Sequence, residues 1–120
     1  MTSAPKPVGA YTPVVEAGEW VVVSGQVGAV DGVLVAGGFD GQCAQALANL
    51  QDRLESVGAS MSDVVKTTVF LRHMPDYARM NEIYVEAFGD HRPARSAFAV
   101  AELPLGALVE IEAWAHRARS

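Results

Sequence analysis

Two charged residues beside apolar runs are the strongest candidates for chemistry. Arg95 stands in the segment Pro93-Ala94-Arg95-Ser96, just before the apolar residues 97–100. A planar guanidinium binds a carboxylate through two parallel hydrogen bonds, so a small carboxylic acid is its natural ligand. Glu110 follows an apolar run, and a carboxylate at such a position can act as a general base. Taken singly, either residue is also typical of an ordinary surface charge at a strand end.

Weaker signals come from three other places in the chain. Gly25, directly after Ser24, lets a backbone approach a ligand closely, although the sequence alone favours a plain bulge or turn here. Tyr11, in an extended segment, can either pack against the rest of the protein or bind a ligand. Asn81 in the middle of a predicted helix either points at a ligand or lies on the surface.

Several common catalytic patterns are missing from the sequence. There is no Gly-x-x-x-x-Gly-Lys phosphate loop, and the three histidines lack the spacing of metal ligands. No serine stands in a nucleophile elbow, and the single cysteine, Cys43, falls in a predicted helix as a small hydrophobe. We therefore expect neither a covalent nor a metal-dependent mechanism, and no cofactor.

Composition restricts the class of protein and its partners. A chain of 120 residues suits one domain, residues 1–120, and a net charge of −5 argues against binding nucleic acid. No apolar run reaches the ~18–20 residues that cross a bilayer, and the first residues lack the layout of a signal peptide. Together with the lone cysteine, these features predict a cytoplasmic protein that does not bind membranes.

The elements that must position the candidate residues follow from periodicity and turn signals. Strands are predicted at 12–17, 19–24, 26–30, 33–35, 64–71, 96–102 and 108–116, with a hairpin turn at Asp31-Gly32. Leucine spacing predicts a first helix from an N-cap at Asp40 to Gly58, and a second helix covers 77–88. This order is typical of an α+β sheet covered by two helices. Two helices cannot cover every strand, so we expect part of the other face to meet another subunit.

Six short segments share their order and spacing with a known family. They are Gly9-Ala10-Tyr11, Val23-Ser24-Gly25-Gln26-Val27, Val64-Val65-Lys66-Thr67-Thr68-Val69-Phe70-Leu71, Met80-Asn81-Glu82-Ile83-Tyr84, Pro93-Ala94-Arg95-Ser96 and Val109-Glu110-Ile111-Glu112-Ala113. Each segment is weak alone, but the ordered set is specific. Through this ordered set the chain resembles the RidA (YjgF/YER057c/UK114) family from about Pro7 to Arg117.

The resemblance implies a fold, an assembly and an activity. The fold is chorismate-mutase-like α+β, with a mixed six-stranded sheet covered on one face by two helices. The assembly is a homotrimer with ligand sites in the clefts between subunits. The activity is cofactor-free hydrolysis of reactive 2-imino acids, or enamines such as 2-aminoacrylate, to 2-keto acids and ammonia.

The same resemblance implies roles for individual residues. Arg95 binds the substrate carboxylate, and Glu110 positions or activates water. The substrate-binding positions are Tyr11, Ser24, Gly25, Asn81 and Ala97. Two of the motifs depart from the family pattern, with Ala10 where proline is usual and Ala97 where many deaminases carry cysteine. The second change alters pocket polarity and volume.

The spacing of Arg95 and Glu110 leaves two arrangements open. If strands 96–102 and 108–116 formed a simple hairpin, the two residues would lie about 13 Å apart, too far for one small acid. Either the strands are not simple neighbours, or the residues meet across a subunit boundary.

Other functions are also compatible with the chain. A non-catalytic sensor or chaperone for small carboxylates would keep Arg95 without turnover. A deaminase for a specific catabolic enamine, such as an aminomuconate-like acid, would use the same residues. A ribonuclease is disfavoured by the acidic charge balance and by the lack of basic and aromatic stripes.

Overall fold

The computed structural model describes residues 9–118. Its strands are β1 (Val14–Ala17), β2 (Trp20–Val27), β3 (Ala29–Val30), β4 (Val33–Leu34), β5 (Val64–Leu71), β6 (Ala94–Ala99) and β7 (Val109–His116). Its helices are α1 (Gly38–Glu55) and α2 (Tyr77–Phe88), and short 3-10 turns occupy Met61–Asp63, Met74–Asp76 and Pro104–Gly106. The predicted α+β class, with two helices packed on a mixed sheet, is confirmed.

The main sheet has the strand order β1-β2-β7-β5-β6. Strands β5 and β6 run parallel and the other neighbours antiparallel, so the sheet is mixed. Within residues 9–118 it contains five strands, one fewer than the six predicted for the whole chain. The chain stays in β2 through a bulge at Ser24-Gly25, because a bulge inserts a residue without ending a strand. Among the described residues β3 then pairs only with β4, and the predicted turn is confirmed by positive φ at Asp31 and Gly32.

Both helices cover the same face of the main sheet and form the core with it. Leu50 and Leu54 of α1 and Met80 of α2 are fully buried against Val23 and Ile111 of the sheet. Burying such side chains is the main force that holds helix to sheet, at roughly 1.5–3 kcal/mol each. Within residues 9–118, neither helix is both long and apolar enough to cross a membrane.

The first helix starts earlier than predicted. Gly37, with a left-handed φ of 105°, precedes the first helical residue, Gly38, so the predicted N-cap at Asp40 was wrong. A glycine turn makes this start possible without a side-chain cap. Asp40 lies in the first turn, where a carboxylate suits the positive end of the helix dipole. There it accepts a 3.0 Å hydrogen bond from Arg79 Nε of α2.

The last two strands are not neighbours, because β5 lies between them. Thr67 of β5 pairs with Arg95 on one side and with Ala113 on the other. β6 starts two residues before the predicted 96 and ends at Ala99. A simple hairpin is therefore excluded, and the two strands are not simple neighbours, as the first of the two arrangements requires. The second arrangement, a meeting across a subunit boundary, stays a prediction.

The face of the main sheet opposite the helices, here called the open face, is rich in exposed apolar side chains. Val15, Trp20, Phe98 and Trp114 on it are each at least 40% exposed. The two tryptophan rings meet edge to face at 6.1 Å. Large exposed apolar patches usually mark an interaction surface. This face is where we expect another subunit to pack.

Candidate functional site

Glu110 lies on β7 in a shallow cavity at the end of the open face. The cavity has a volume of about 210 Å³ and is lined by Tyr11, Ser24, Gly25, Pro104 and Glu110. Four of these five residues are predicted site residues, although they come from three separate parts of the sequence. Pro104 was missed, because a proline in a short connection carries no chemical signal. We call this group the Glu110 cavity.

A β-bulge brings the backbone of β2 against the Glu110 carboxylate. Regular pairing of β2 with β7 stops at Val23 and resumes at Gln26, which leaves Ser24 and Gly25 in the bulge. A Cβ placed on Gly25 would lie 2.6 Å from Glu110 Oε2. Only glycine leaves room for the carboxylate in its present position. The predicted bulge at Gly25 is therefore confirmed, and a role of Gly25 in ligand binding stays a prediction.

Hydrogen bonds fix the bulge from both sides. Ser24 Oγ donates to the Thr12 carbonyl at 2.7 Å, which ties the segment carrying Tyr11 to β2. From the helix side, Gln26 Nε2 donates to the Ser24 carbonyl at 3.0 Å, and Arg53 Nε reaches Gln26 Oε1 at 3.4 Å. This role of Gln26 and Arg53 was not predicted from the sequence. The available signal was a glutamine within a valine-rich strand, and the structure shows that this glutamine is buried.

The environment of Glu110 favours its protonated form. Burial raises the pKa of Glu110 above its usual range, and the like charge of Glu112 two residues along β7 raises it further. A carboxylate with a raised pKa is a stronger base once it is ionised. The arrangement therefore suits Glu110 to accept a proton from water.

Arg95 lies on the other face of the sheet, among side chains of α2. Its Nη2 donates to the Tyr77 hydroxyl at 3.0 Å, and its Nη1 lies 3.7 Å from Met80 Sδ. Its Cζ is 4.9 Å from the ring centroid of Tyr84 and 5.5 Å from that of Tyr77. Stacked guanidinium groups lose little freedom when they bind an anion. We call Arg95 with these three residues the Arg95 cluster.

Two other predicted residues belong to this side of the sheet. Ala97 is two residues along β6 from Arg95, shares its face and packs partly against the core. Asn81 is half-buried on α2, one helical turn after Tyr77 and three residues before Tyr84. Both therefore lie next to the Arg95 cluster rather than in the Glu110 cavity.

One protomer does not bring Arg95 and Glu110 together. Arg95 pairs with Thr67, whose side chain faces the helices, whereas Glu110 pairs with Phe70, three residues further and on the open face. With strands ~4.8 Å apart and a rise of ~3.3 Å per residue, their Cα atoms are roughly 14 Å apart. The predicted site residues thus form two groups on opposite faces of the sheet.

The structure also shows whether side chains that could bind a metal ion lie close together. Across residues 9–118, no three His, Cys, Asp or Glu side chains converge as a group that could hold a metal ion. Cys43 is fully buried, and burial raises the pKa of its thiol to about 12, which opposes formation of a reactive thiolate.

Known proteins resemble the chain over nearly its whole length. The family model described as Endoribonuclease L-PSP matches residues 1–117. The 2-iminobutanoate/2-iminopropanoate deaminase of Mus musculus is 45% identical, covering 93% of this chain and 84% of its own. Among solved structures, RidA of a Psychrobacter species is 39% identical with a TM-score of 0.91, covering 95% of this chain and 94% of its own. TdcF of E. coli with bound serine is 35% identical with a TM-score of 0.90, covering 96% and 94%.

These matches bear out the resemblance seen in the ordered motifs. They cover the segments that carry Tyr11, Ser24, Asn81, Arg95 and Glu110, and the structural matches extend over both helices and the main sheet. The chain belongs to the RidA family, which is also described as Endoribonuclease L-PSP.

Proposed function

We propose that this protein hydrolyses small 2-imino acids, of the 2-iminobutanoate and 2-aminoacrylate class, to 2-keto acids and ammonia. The observation that carries the proposal is the Glu110 carboxylate held against Gly25 in a cavity sized for a small molecule. The name of the mouse relative supports the reaction. The bound serine named for TdcF, a small amino acid, supports the size and charge of the ligand.

The complete site forms between copies of the chain in a homotrimer. A small acid cannot contact Arg95 and Glu110 of one protomer, because they lie on opposite faces of the sheet. If Arg95 of one copy faces the Glu110 cavity of the next, both reach one substrate. The exposed tryptophans and phenylalanine of the open face supply apolar surface for that assembly.

The reaction divides between the two groups of residues. Arg95 holds the substrate carboxylate, with Asn81 and Ala97 beside it. Glu110 accepts a proton from water as the water oxygen bonds to the imine carbon, and it returns that proton to nitrogen. Glu110 then takes the hydroxyl proton of the carbinolamine and passes it to the nitrogen, so that the C–N bond breaks, the C=O bond forms and ammonia leaves. Ser24, Gly25 and Tyr11 form the wall around the reacting carbon.

This chemistry uses water and protein side chains alone, and so needs no cofactor. Orientation supplies much of the rate, because imines already hydrolyse in water and placing both reactants removes an entropic barrier. We further propose that the chain acts as a single domain in the cytoplasm, where small imino acids released by other enzymes would reach it.

The proposal is tested with Arg95→Ala and Glu110→Gln. The substrate, 2-iminobutanoate, is generated in situ by an amino-acid oxidase, and ammonia release is timed against the uncatalysed rate. We expect each variant alone to lose activity by about a hundredfold or more, since each removes one half of the site. Wild-type activity in either variant would contradict the proposed roles.

Mixing the two inactive variants tests the assembly. After co-refolding in equal amounts, a site with Arg95 from one copy and Glu110 from another is intact in about a quarter of cases. Recovery of about a quarter of wild-type activity is expected. No recovery from mixed oligomers would place both residues of each site in one protomer.

The alternative is a protein that binds small carboxylates without turnover, and the ammonia assay distinguishes it from a deaminase. A carboxylate-binding sensor would bind 2-oxobutanoate through Arg95 and release no ammonia above the background rate. The endoribonuclease named in the family model's description is disfavoured here by the net charge of −5. A labelled RNA incubated with the protein would stay intact.

A further inference from the structure

The Arg95 cluster contains two tyrosine hydroxyls with different surroundings. The Tyr84 hydroxyl is buried and shares a 2.7 Å hydrogen bond with Thr67 Oγ1. The Tyr77 hydroxyl instead accepts a 3.0 Å hydrogen bond from Arg95 Nη2. Tyr77 is also 37% exposed, whereas Tyr84 is 3% exposed. Only the Tyr77 hydroxyl therefore lies both at the guanidinium and at the protein surface.

The Tyr77 hydroxyl keeps a proton to donate. A phenol accepts and donates at the same time, and here its oxygen already accepts from Arg95. No acceptor for its proton is found among residues 9–118. A hydroxyl that accepts from a cation is polarised, which makes its own proton a better donor. An anion seated on the free N–H groups of Arg95 would lie within reach of that proton.

We infer that Tyr77 is a specificity-determining residue for the substrate carboxylate. Its hydroxyl orients the Arg95 guanidinium and donates a third hydrogen bond to the carboxylate that Arg95 binds. The inference rests on the proposed function, since it assigns Arg95 as the carboxylate ligand. It predicts a preference for carboxylates over neutral amides of the same shape. A carboxylate offers two acceptor oxygens to Arg95 and Tyr77, whereas an amide offers one oxygen and a nitrogen that cannot accept.

The test compares Tyr77→Phe with Tyr84→Phe. Each change removes one hydroxyl and leaves the ring over Arg95 in place, but only the first removes a hydrogen bond to the guanidinium. We measure the affinity of the full-length protein for 2-oxobutanoate and for neutral 2-oxobutanamide by calorimetry. Turnover of 2-iminobutanoate is followed in parallel.

For Tyr77→Phe we expect binding of 2-oxobutanoate to weaken about tenfold, the usual effect of losing a hydrogen bond to a charged group. Binding of the amide should weaken clearly less than binding of the acid, and KM should rise about tenfold with little change in kcat. Tyr84→Phe should lower the melting temperature yet leave the affinity for 2-oxobutanoate within about twofold.

The outcomes separate this inference from the proposed function. Wild-type affinity for 2-oxobutanoate in Tyr77→Phe, alongside a large loss in Arg95→Ala, overturns the role of Tyr77 alone. An equal loss for the acid and the amide would overturn it as well. Unchanged affinity in Arg95→Ala overturns both, because Tyr77 then has no bound carboxylate to contact. Misfolding would not explain a loss of affinity for the acid that exceeds the loss for the amide. Tyr77 is partly exposed, and phenylalanine has nearly the same shape.

Discussion

The Glu110 cavity and the Arg95 cluster are built in different ways on the two faces of one sheet. Backbone forms the first, since the bulge at Ser24 and Gly25 sets the space that the carboxylate occupies. Side chains form the second, where tyrosine rings and a methionine sulfur surround the guanidinium. In a site lined by backbone, an added atom must displace its neighbour. In a site lined by side chains, a substitution removes one contact and leaves the others, and the site can also be more exposed to solvent.

The largest effect is expected from a substitution on the open face, which lies beside the Glu110 cavity. Trp114→Glu places a charge in the exposed apolar patch, and we expect the proposed trimer to dissociate and activity to be lost with it. Light scattering after size-exclusion chromatography measures the assembly. Val85→Glu is the matched control, because Val85 is similarly exposed but lies on the outer side of α2. A trimer that survives Trp114→Glu would show that the open face is not the interface.

The backbone-built half is tested by Gly25→Ala. The new methyl group would lie 2.6 Å from Glu110 Oε2 and must displace it, and a shift of about 1 Å costs roughly a hundredfold in rate. We expect kcat to fall by about that factor, with a smaller change in KM. Gly32→Ala is the control, since a methyl group there meets nothing within 4 Å. Gly32→Ala should lower the melting temperature, because residue 32 has a positive φ, without lowering kcat. A normal kcat for Gly25→Ala would argue against the role of Glu110.

The smallest effect expected is a shift in pH dependence. Burial, and then the charge of Glu112, raise the pKa of Glu110, which must be ionised to accept a proton. The value of kcat/KM should therefore rise with pH through the raised pKa of Glu110. Glu112→Gln removes the like charge, lowers that pKa and moves the acid limb to lower pH. Glu86→Gln, on the outer side of α2, should leave the limb unmoved, and an unmoved limb in Glu112→Gln would mean that another group titrates.

Much of the fold was predictable because it depends on local patterns. The leucine spacing of α1, the valine-rich strands and the Asp31-Gly32 turn are set by residues close in the chain. The number of strands in the main sheet was not predictable in this way. Whether the chain leaves a sheet at Gly25 or passes through a bulge depends on its partner strand, and that partner, β7, is more than eighty residues further along the chain.

Residue types and motif order alone assigned the family and predicted Arg95, Glu110, Tyr11, Ser24 and Gly25 as site residues. Only the tertiary structure decided how they are divided. β5 lies between β6 and β7, and the observed registers align Arg95 with Thr67 and Glu110 with Phe70, an odd number of residues apart. The two side chains therefore lie on opposite faces, because side chains alternate in direction along a strand. Register across strands is a long-range property, so no spacing in the sequence contained it.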